Sequence, residues 1–166
     1  MQINIKNLNE VGQYAVTLIV ERTAKGIDAT GNPFLPYSTN PFAMPASATT
    51  KAALQRLKAQ GLLNYFTTKK GTLWVIVKGG YRALKQARYP QDSGTVNLWA
   101  TGAMMRNLRV LRTDGDAVII GFSRQEEMKK AFWNQNAKAN RKFMGLVKNE
   151  IAELTKRVAV EIKFDI

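Results

Sequence analysis

The sequence predicts an α+β fold, a single domain in which a mainly antiparallel sheet carries helices packed on it. Three observations predict it. Two pairs of strand-like runs flank the short turn sequences Lys69-Lys70-Gly71 and Thr113-Asp114-Gly115-Asp116. Leu8, Val11, Ala15, Leu18 and Ile19 recur at helical spacing. The length of 166 residues and the hydrophobic content of 45% suit one domain with a real core and argue against disorder.

The elements follow in order. Ile3 and Ile5 alternate with polar residues and predict a short strand. Asn7 with Glu10 resembles a capping box that opens a helix over about residues 8–25, and Gly26 fits just past its end. Pro33, Pro36, Pro41 and Pro45 then stiffen a long loop over about 27–46, studded with Phe34, Tyr37, Phe42 and Met44. Side chains that large need either this protein's own core or a partner. Ser47 is placed to cap a second helix running to Gln60, closed by Gly61. A basic hairpin over about 62–78 follows, its strands being Leu63–Thr68 and Thr72–Val77.

Tyr81–Arg88 reads as a short helix, Pro90–Gly94 as a linker, and Thr95–Trp99 as a strand. Thr101 opens a helical turn ending near Leu108, with Met104, Met105 and Leu108 turned to the core. Arg109–Arg112 and Ala117–Phe122 form the second hairpin. Ser123 and Glu126 make a capping box for a helix to about Ala137, and another helix covers Val147–Arg157. From Val158 the chain alternates strictly, with Val158, Val160, Ile162, Phe164 and Ile166 on one side, which predicts a terminal strand.

Composition narrows the chemistry. The chain has no Cys and no His, so disulfides, thiolate metal sites and the usual Ser-His or Cys-His nucleophile pairs are excluded. No catalytic residue, metal ligand or cofactor is expected. An enzyme using Asp28 or Asp92 without His is a distant alternative, and no paired carboxylates support it. The N-terminal residues lack a secretory hydrophobic stretch, and the run Ala15–Val20 is far shorter than the ~20 residues of a membrane span. A soluble protein made in a cytoplasm, with no membrane partner, is the expectation.

The net charge of +13 comes from 25 Lys and Arg against 12 Asp and Glu. Residues 61–100 carry Lys69, Lys70, Lys78, Arg82, Lys85 and Arg88 against the single acid Asp92. Such a field attracts nucleic acid or an acidic protein surface; its bland counterpart is a solubilising face. Tyr65, Trp74 and Tyr81 lie near the Lys69-Lys70 tip, a mixture that suits single-stranded nucleic acid, although no recognised nucleic-acid motif accompanies it.

The segment from Gly26 through Asp28, Gly31, Phe34, Pro36 and Tyr37 to Ser38 has the glycines of a phosphate loop, but it follows a helix and not a strand, so a geometric role is expected. Three segments then stand in order: Arg22-Thr-x-x-Gly26-Ile-Asp28-x-x-Gly31-x-x-Phe34-x-Pro36-Tyr37-Ser38, Leu98-Trp-x-Thr101-Gly102-x-Met104-x-x-x-Leu108, and Arg141-x-Phe143-x-Gly145-Leu146. With Val118-Ile-Ile-Gly121-Phe122 they resemble the phage virion morphogenesis (tail completion) family of tailed bacteriophages, over about residues 20–157. The hairpin Leu62–Val77 is longer than that pattern.

The resemblance implies a structural virion protein without enzymatic activity. It would sit at the head–tail junction in the virion, after a stay in the host cytoplasm. Its partners would be copies of itself in a ring, often of six subunits among related neck proteins, and the neighbouring connector, neck and tail-tube proteins. DNA in the channel would be met only in passing. On that reading Gly26, Asp28, Gly31, Phe34, Pro36, Tyr37, Ser38 and Phe42 form an assembly loop. Val158, Val160, Ile162 and Phe164 form an intersubunit strand. Lys69, Lys70, Lys78, Arg82, Lys85 and Arg88 face DNA or an acidic neighbour. The competing reading is a small basic nucleic-acid-binding protein.

Overall fold

The computed structural model describes residues 5–90, 95–136 and 140–161. In chain order the elements are α1 (Ile5–Ala24), β1 (Phe42–Pro45), α2 (Lys51–Ala59), β2 (Leu63–Thr67), β3 (Leu73–Val77), α3 (Gly80–Arg88), α4 (Ala103–Asn107), β4 (Leu108–Asp114), β5 (Ala117–Phe122), α5 (Gln125–Asn136) and α6 (Lys148–Glu161). Among the described residues all strand pairing is antiparallel and helices pack on the sheets, so the α+β class is as the sequence predicts. The chain divides into two compact units, Met1–Leu35 with Asn97–Ile166, and Pro36–Val96.

In the first unit α1 packs against the β4–β5 hairpin and α6. Ala15 and Ile19 are buried one helical turn apart, and Arg22 and Thr23 continue the buried face. The helix stops where Gly26 takes φ 80°, a left-handed conformation that costs Gly little. The Ile27 amide then donates to the Arg22 carbonyl at 3.2 Å and the Gly26 amide to the Thr23 carbonyl at 3.0 Å, which satisfies two of the last-turn carbonyls. In the hairpin Leu108 opposes Phe122 and Asp114 opposes Ala117; an irregularity between Val110 and Arg112 leaves Leu111 exposed. Met104, Met105 and Leu108 are buried, as their spacing predicts.

The second unit is a three-stranded sheet, β1-β3-β2, with α2 and α3 on one face. Residues opposite one another across a ladder share a face, so Met44, Val75, Leu63 and Val77 point to the helices. They close the core with Ala53, Leu57, Ala83, Leu84 and Ala87. Thr50, not Ser47, caps α2: its hydroxyl accepts from the Ala53 amide at 3.2 Å, while Ser47 lies in the 3-10 turn Ala46–Ala48. Gly61 closes α2 as expected, with φ 69°. The Leu63–Val77 hairpin forms with Leu63 opposite Val77, and its Thr68–Thr72 loop is held by the Thr68 amide bonding the Thr72 carbonyl at 3.0 Å.

Several expectations are corrected. Ile5 and Asn7 lie inside α1, so neither a strand at Ile5 nor a capping box at Asn7 forms; Ile3 is outside the described residues. The Pro-rich loop is shorter than expected, because Phe42–Pro45 pairs with β3 as an edge strand, where a terminal Pro is tolerated. Thr95–Trp99 is not a strand: Leu98 has φ 55°, and the Asn97 side chain accepts from the Trp99 amide at 3.0 Å, a local turn that breaks an extended run. Thr101 stands one residue before the cap position of α4, occupied by Gly102, though its hydroxyl still accepts from the Ala103 amide at 3.3 Å. At the start of α5 the buried Asn107 holds the chain: its side chain donates to the Ser123 hydroxyl at 3.1 Å and accepts from the Arg124 amide at 2.9 Å.

The largest correction concerns the C-terminal strand. Val158 and Val160 lie in α6, which runs to Glu161, while Ile162, Phe164 and Ile166 lie outside the described residues. Leu154 and Val158 are four residues apart, so the alternating run also continues a helical pattern. Extending an existing helix adds a hydrogen bond per residue fixed, whereas a new strand needs a partner edge. Val158 and Val160 are thus no intersubunit strand.

Candidate functional site

The first and third sequence motifs meet at Arg22. This guanidinium is 6% exposed, and its Nη1 bonds and ion-pairs with the Glu150 carboxylate. Its Nη2 donates to the carbonyls of Phe143 at 2.7 Å and Gly145 at 3.0 Å. The planar fork of Arg suits such a divided task, which the point charge of Lys would not perform equally. Glu150 serves two elements, because its Oε2 also accepts from the Val147 amide at 2.9 Å at the start of α6. Phe143 is fully buried, its ring edge-on to Phe122 at 6.3 Å. The Arg141–Leu146 turn is therefore anchored by Phe143 and by Arg22.

The loop after α1 spends its own amides. Asp28 donates to the Asn32 carbonyl at 2.7 Å, Gly31 to Asp28 at 3.1 Å, Phe34 to Gly26 at 2.8 Å and Ala29 to Lys142 at 2.7 Å. The Thr30 and Asn32 amides both donate to Asp28 Oδ1, at 2.8 and 3.0 Å, and the Thr30 hydroxyl does so at 2.7 Å. With Gly26 and Ile27 engaged at the helix end and Pro33 lacking a donor, no amide from Gly26 to Phe34 is left for a phosphate. The geometric role expected of this loop is the one it performs.

Asp28 also gives a pH prediction. Burial pushes its carboxyl up, but the hydrogen bonds from Thr30 and Asn32 and the charge of Arg22 outweigh it, so its pKa lies below the ordinary 3.8. A carboxyl depressed in the folded state releases its proton more readily there than in the unfolded chain. Its contribution is present above the unfolded value and is lost as pH falls through the folded one. Asp28→Asn should therefore be less stable than wild type at neutral pH, by on the order of 1 kcal/mol or less. That gap should close as urea unfolding is repeated at decreasing pH below 3.8. A gap independent of pH would contradict the assignment.

The expected assembly loop is less available than its sequence promised. Phe34 and Tyr37 are each 7% exposed, and Phe42 is half-buried against the second unit's core. They serve the protein's own packing, and Gly26 is buried too. Gly31, Pro36 and Ser38 are exposed and Asp28 is half-buried. Leu35, which no sequence signal singles out, is the large exposed apolar residue here at 58%.

The basic set divides as well. Lys69, Lys70, Lys78, Arg82 and Arg88 are exposed, but Lys85 is buried. Its ammonium bonds the Tyr37 hydroxyl at 2.7 Å and lies 4.4 Å from the centre of that ring. Lys85 thus holds Tyr37 and does not face a partner. Residues 36–96 carry nine Lys and Arg against Asp92 alone, so the second unit holds most of the protein's positive excess. On its sheet Phe66 stands opposite Trp74 on the face away from the helices, with Asn64, Ala43 and Ile76. The two rings are 6.2 Å apart and tilted by 40°, and Phe66 is 40% exposed. The sequence points to Trp74 but not to Phe66; only the hairpin register shows that they share a face.

No family model matches the chain, and neither a curated protein nor a solved structure does. Among the described residues no group of three His, Cys, Asp or Glu could hold a metal ion, and no helix is long and apolar enough to cross a membrane. Among the described residues the geometry offers anchored turns in the first unit and, in the second, an uncharged sheet whose hairpin tip carries Lys69 and Lys70.

Proposed function

We propose that the chain is a structural, non-enzymatic protein of a tailed-bacteriophage virion, a tail-completion or neck protein at the head–tail junction that assembles as a ring around the DNA channel. The observation that carries this reading is the convergence at Arg22. Two of the motifs behind the resemblance, more than a hundred residues apart in sequence, are one physical object joined through the Phe143 and Gly145 carbonyls. A chain without His or Cys has little to offer general acid–base or nucleophilic chemistry, which supports the structural role. The partners on this reading are further copies of the chain and the adjoining connector, neck and tail-tube proteins. Its place is the virion, with the host cytoplasm before assembly.

The charge of residues 36–96 favours a second reading, a small basic nucleic-acid-binding protein. Native mass spectrometry of the purified chain with and without a DNA duplex separates the two. A closed ring that forms without DNA, together with density for the chain in the neck of purified particles, is the expected result. A monomer that binds the duplex tightly and is missing from particles would overturn the virion reading.

A further inference from the structure

We infer that the open face of the β1-β3-β2 sheet binds single-stranded nucleic acid, with Phe66 and Trp74 as its stacking platform and the Lys69-Lys70 tip as its first phosphate contact. This inference stands apart from the virion reading, because it rests only on residues 36–96. Five observations carry it. The helices α2 and α3 cover one face of the sheet, and on the other Phe66, Asn64 and Ala43 are exposed while Trp74 and Ile76 are half-buried. That second face holds two aromatic rings in direct register across β2 and β3. The rings are tilted rather than stacked on each other, so neither seals the other's face.

The remaining two observations concern charge. Lys69 and Lys70 are exposed on the loop joining the same two strands, and that loop is fixed by its own hydrogen bonds, including the Gly71 amide to the Thr68 carbonyl at 2.9 Å. Eight of the nine cations in residues 36–96 are exposed, Lys85 being the one that is buried, and the lone acid is Asp92. The charge complement to such a unit is a polyanion. Among polyanions, the one that also presents flat π-faces between its charges is a nucleic-acid strand whose bases are unpaired. A duplex hides those faces in its own stack, and an acidic protein has none at that density.

The experiment is fluorescence anisotropy of the full chain with labelled oligo(dT), oligo(U), a DNA duplex of the same length and poly-glutamate. The oligo(dT) should bind more tightly than the duplex and the poly-glutamate. Phe66→Leu and Trp74→Leu keep apolar bulk but remove the flat face, and each should weaken the oligo(dT) complex by about fivefold or more. Phe66→Tyr should restore it. Changing Lys69 and Lys70 to Ala should flatten the slope of log affinity against log salt by roughly 0.7 for each phosphate that is no longer neutralised. The ratio of oligo(dT) to oligo(U) affinity then tells whether DNA or RNA is the preferred strand. Equal binding of duplex and single strand, equal binding of poly-glutamate, or Leu variants that bind like wild type would each overturn the inference, the first and third by reducing the face to charge alone.

Discussion

Arg22→Ala should destabilise the first unit by roughly 3–5 kcal/mol, the range for removing one partner of a buried ion pair. Three effects combine. The Glu150 carboxylate stays buried, with 11% of its side chain exposed, and is stripped of the cation that compensated it. The carbonyls of Phe143 and Gly145 are deprived of donors at 2.7 and 3.0 Å. The packing of the guanidinium stem goes with them. Glu150→Gln should cost less: it leaves the Arg22 cation without its counter-charge, but the guanidinium keeps the Phe143 and Gly145 carbonyls and the amide oxygen still accepts from the Val147 amide. The ordering Arg22→Ala worse than Glu150→Gln, read from urea midpoints, is the test. Since whole domains are held by only about 5–15 kcal/mol, the first variant should sit near its unfolding threshold at moderate temperature. A destabilisation below about 1 kcal/mol, the level of an exposed pair, would mean that Arg22 is not holding the turn.

This arrangement explains what could and could not be read from the sequence. The helix stop at Gly26, the stop at Gly61 and both hairpins are local events, decided by residues within a few positions of one another, and they read correctly. Arg22 pairing with Glu150 joins residues 128 positions apart, and no periodicity marks it. An Arg is ordinarily an exposed residue, so its burial is the reverse of what its type predicts. Phe34 and Tyr37 show the same limit from the other side. Their place among prolines suggested a surface pressed on a partner, yet Tyr37 finds its partner in Lys85, 48 positions on.

The expected start of a strand at Val158 failed for a different reason. A period of two and a period near four coincide over a short apolar run, so Val158 with Val160 satisfied the first while Leu154 with Val158 satisfied the second. Cooperativity decided between them, because a helix was already under way from Lys148. The aromatic face of the second unit was half legible. Trp74 and a Lys-rich tip could be seen, but placing Phe66 beside Trp74 needs the register, and a slip of one residue would have sent it to the other face.

Gly80→Ala should be the most damaging single change in the second unit for its size. Gly80 opens α3 with φ 67°, where a residue with a Cβ costs about 1–3 kcal/mol. A Cβ there would also lie 2.5 Å from the Ser38 carbonyl oxygen and 2.5–2.6 Å from the carbonyl carbon and Cα of Thr39. These are backbone atoms, so no rotamer change relieves them, and overpacking adds roughly 1–3 kcal/mol. Displacing Ser38 disturbs the 3.1 Å bond from the Arg82 amide to its carbonyl and the neighbouring Tyr37, which Lys85 holds at 2.7 Å. Gly71→Ala separates the two contributions. Gly71 has φ 80° at the hairpin tip, but nothing lies within 4 Å of its would-be Cβ, so that variant carries the backbone strain without the clash. Urea unfolding should therefore rank Gly80→Ala well below Gly71→Ala. Hydrogen exchange at the core strand residues Val75 and Val77 should accelerate far more in the former. Equal destabilisation in the two variants would show that left-handed strain, and not the approach of Ser38 and Thr39, fixes glycine at position 80.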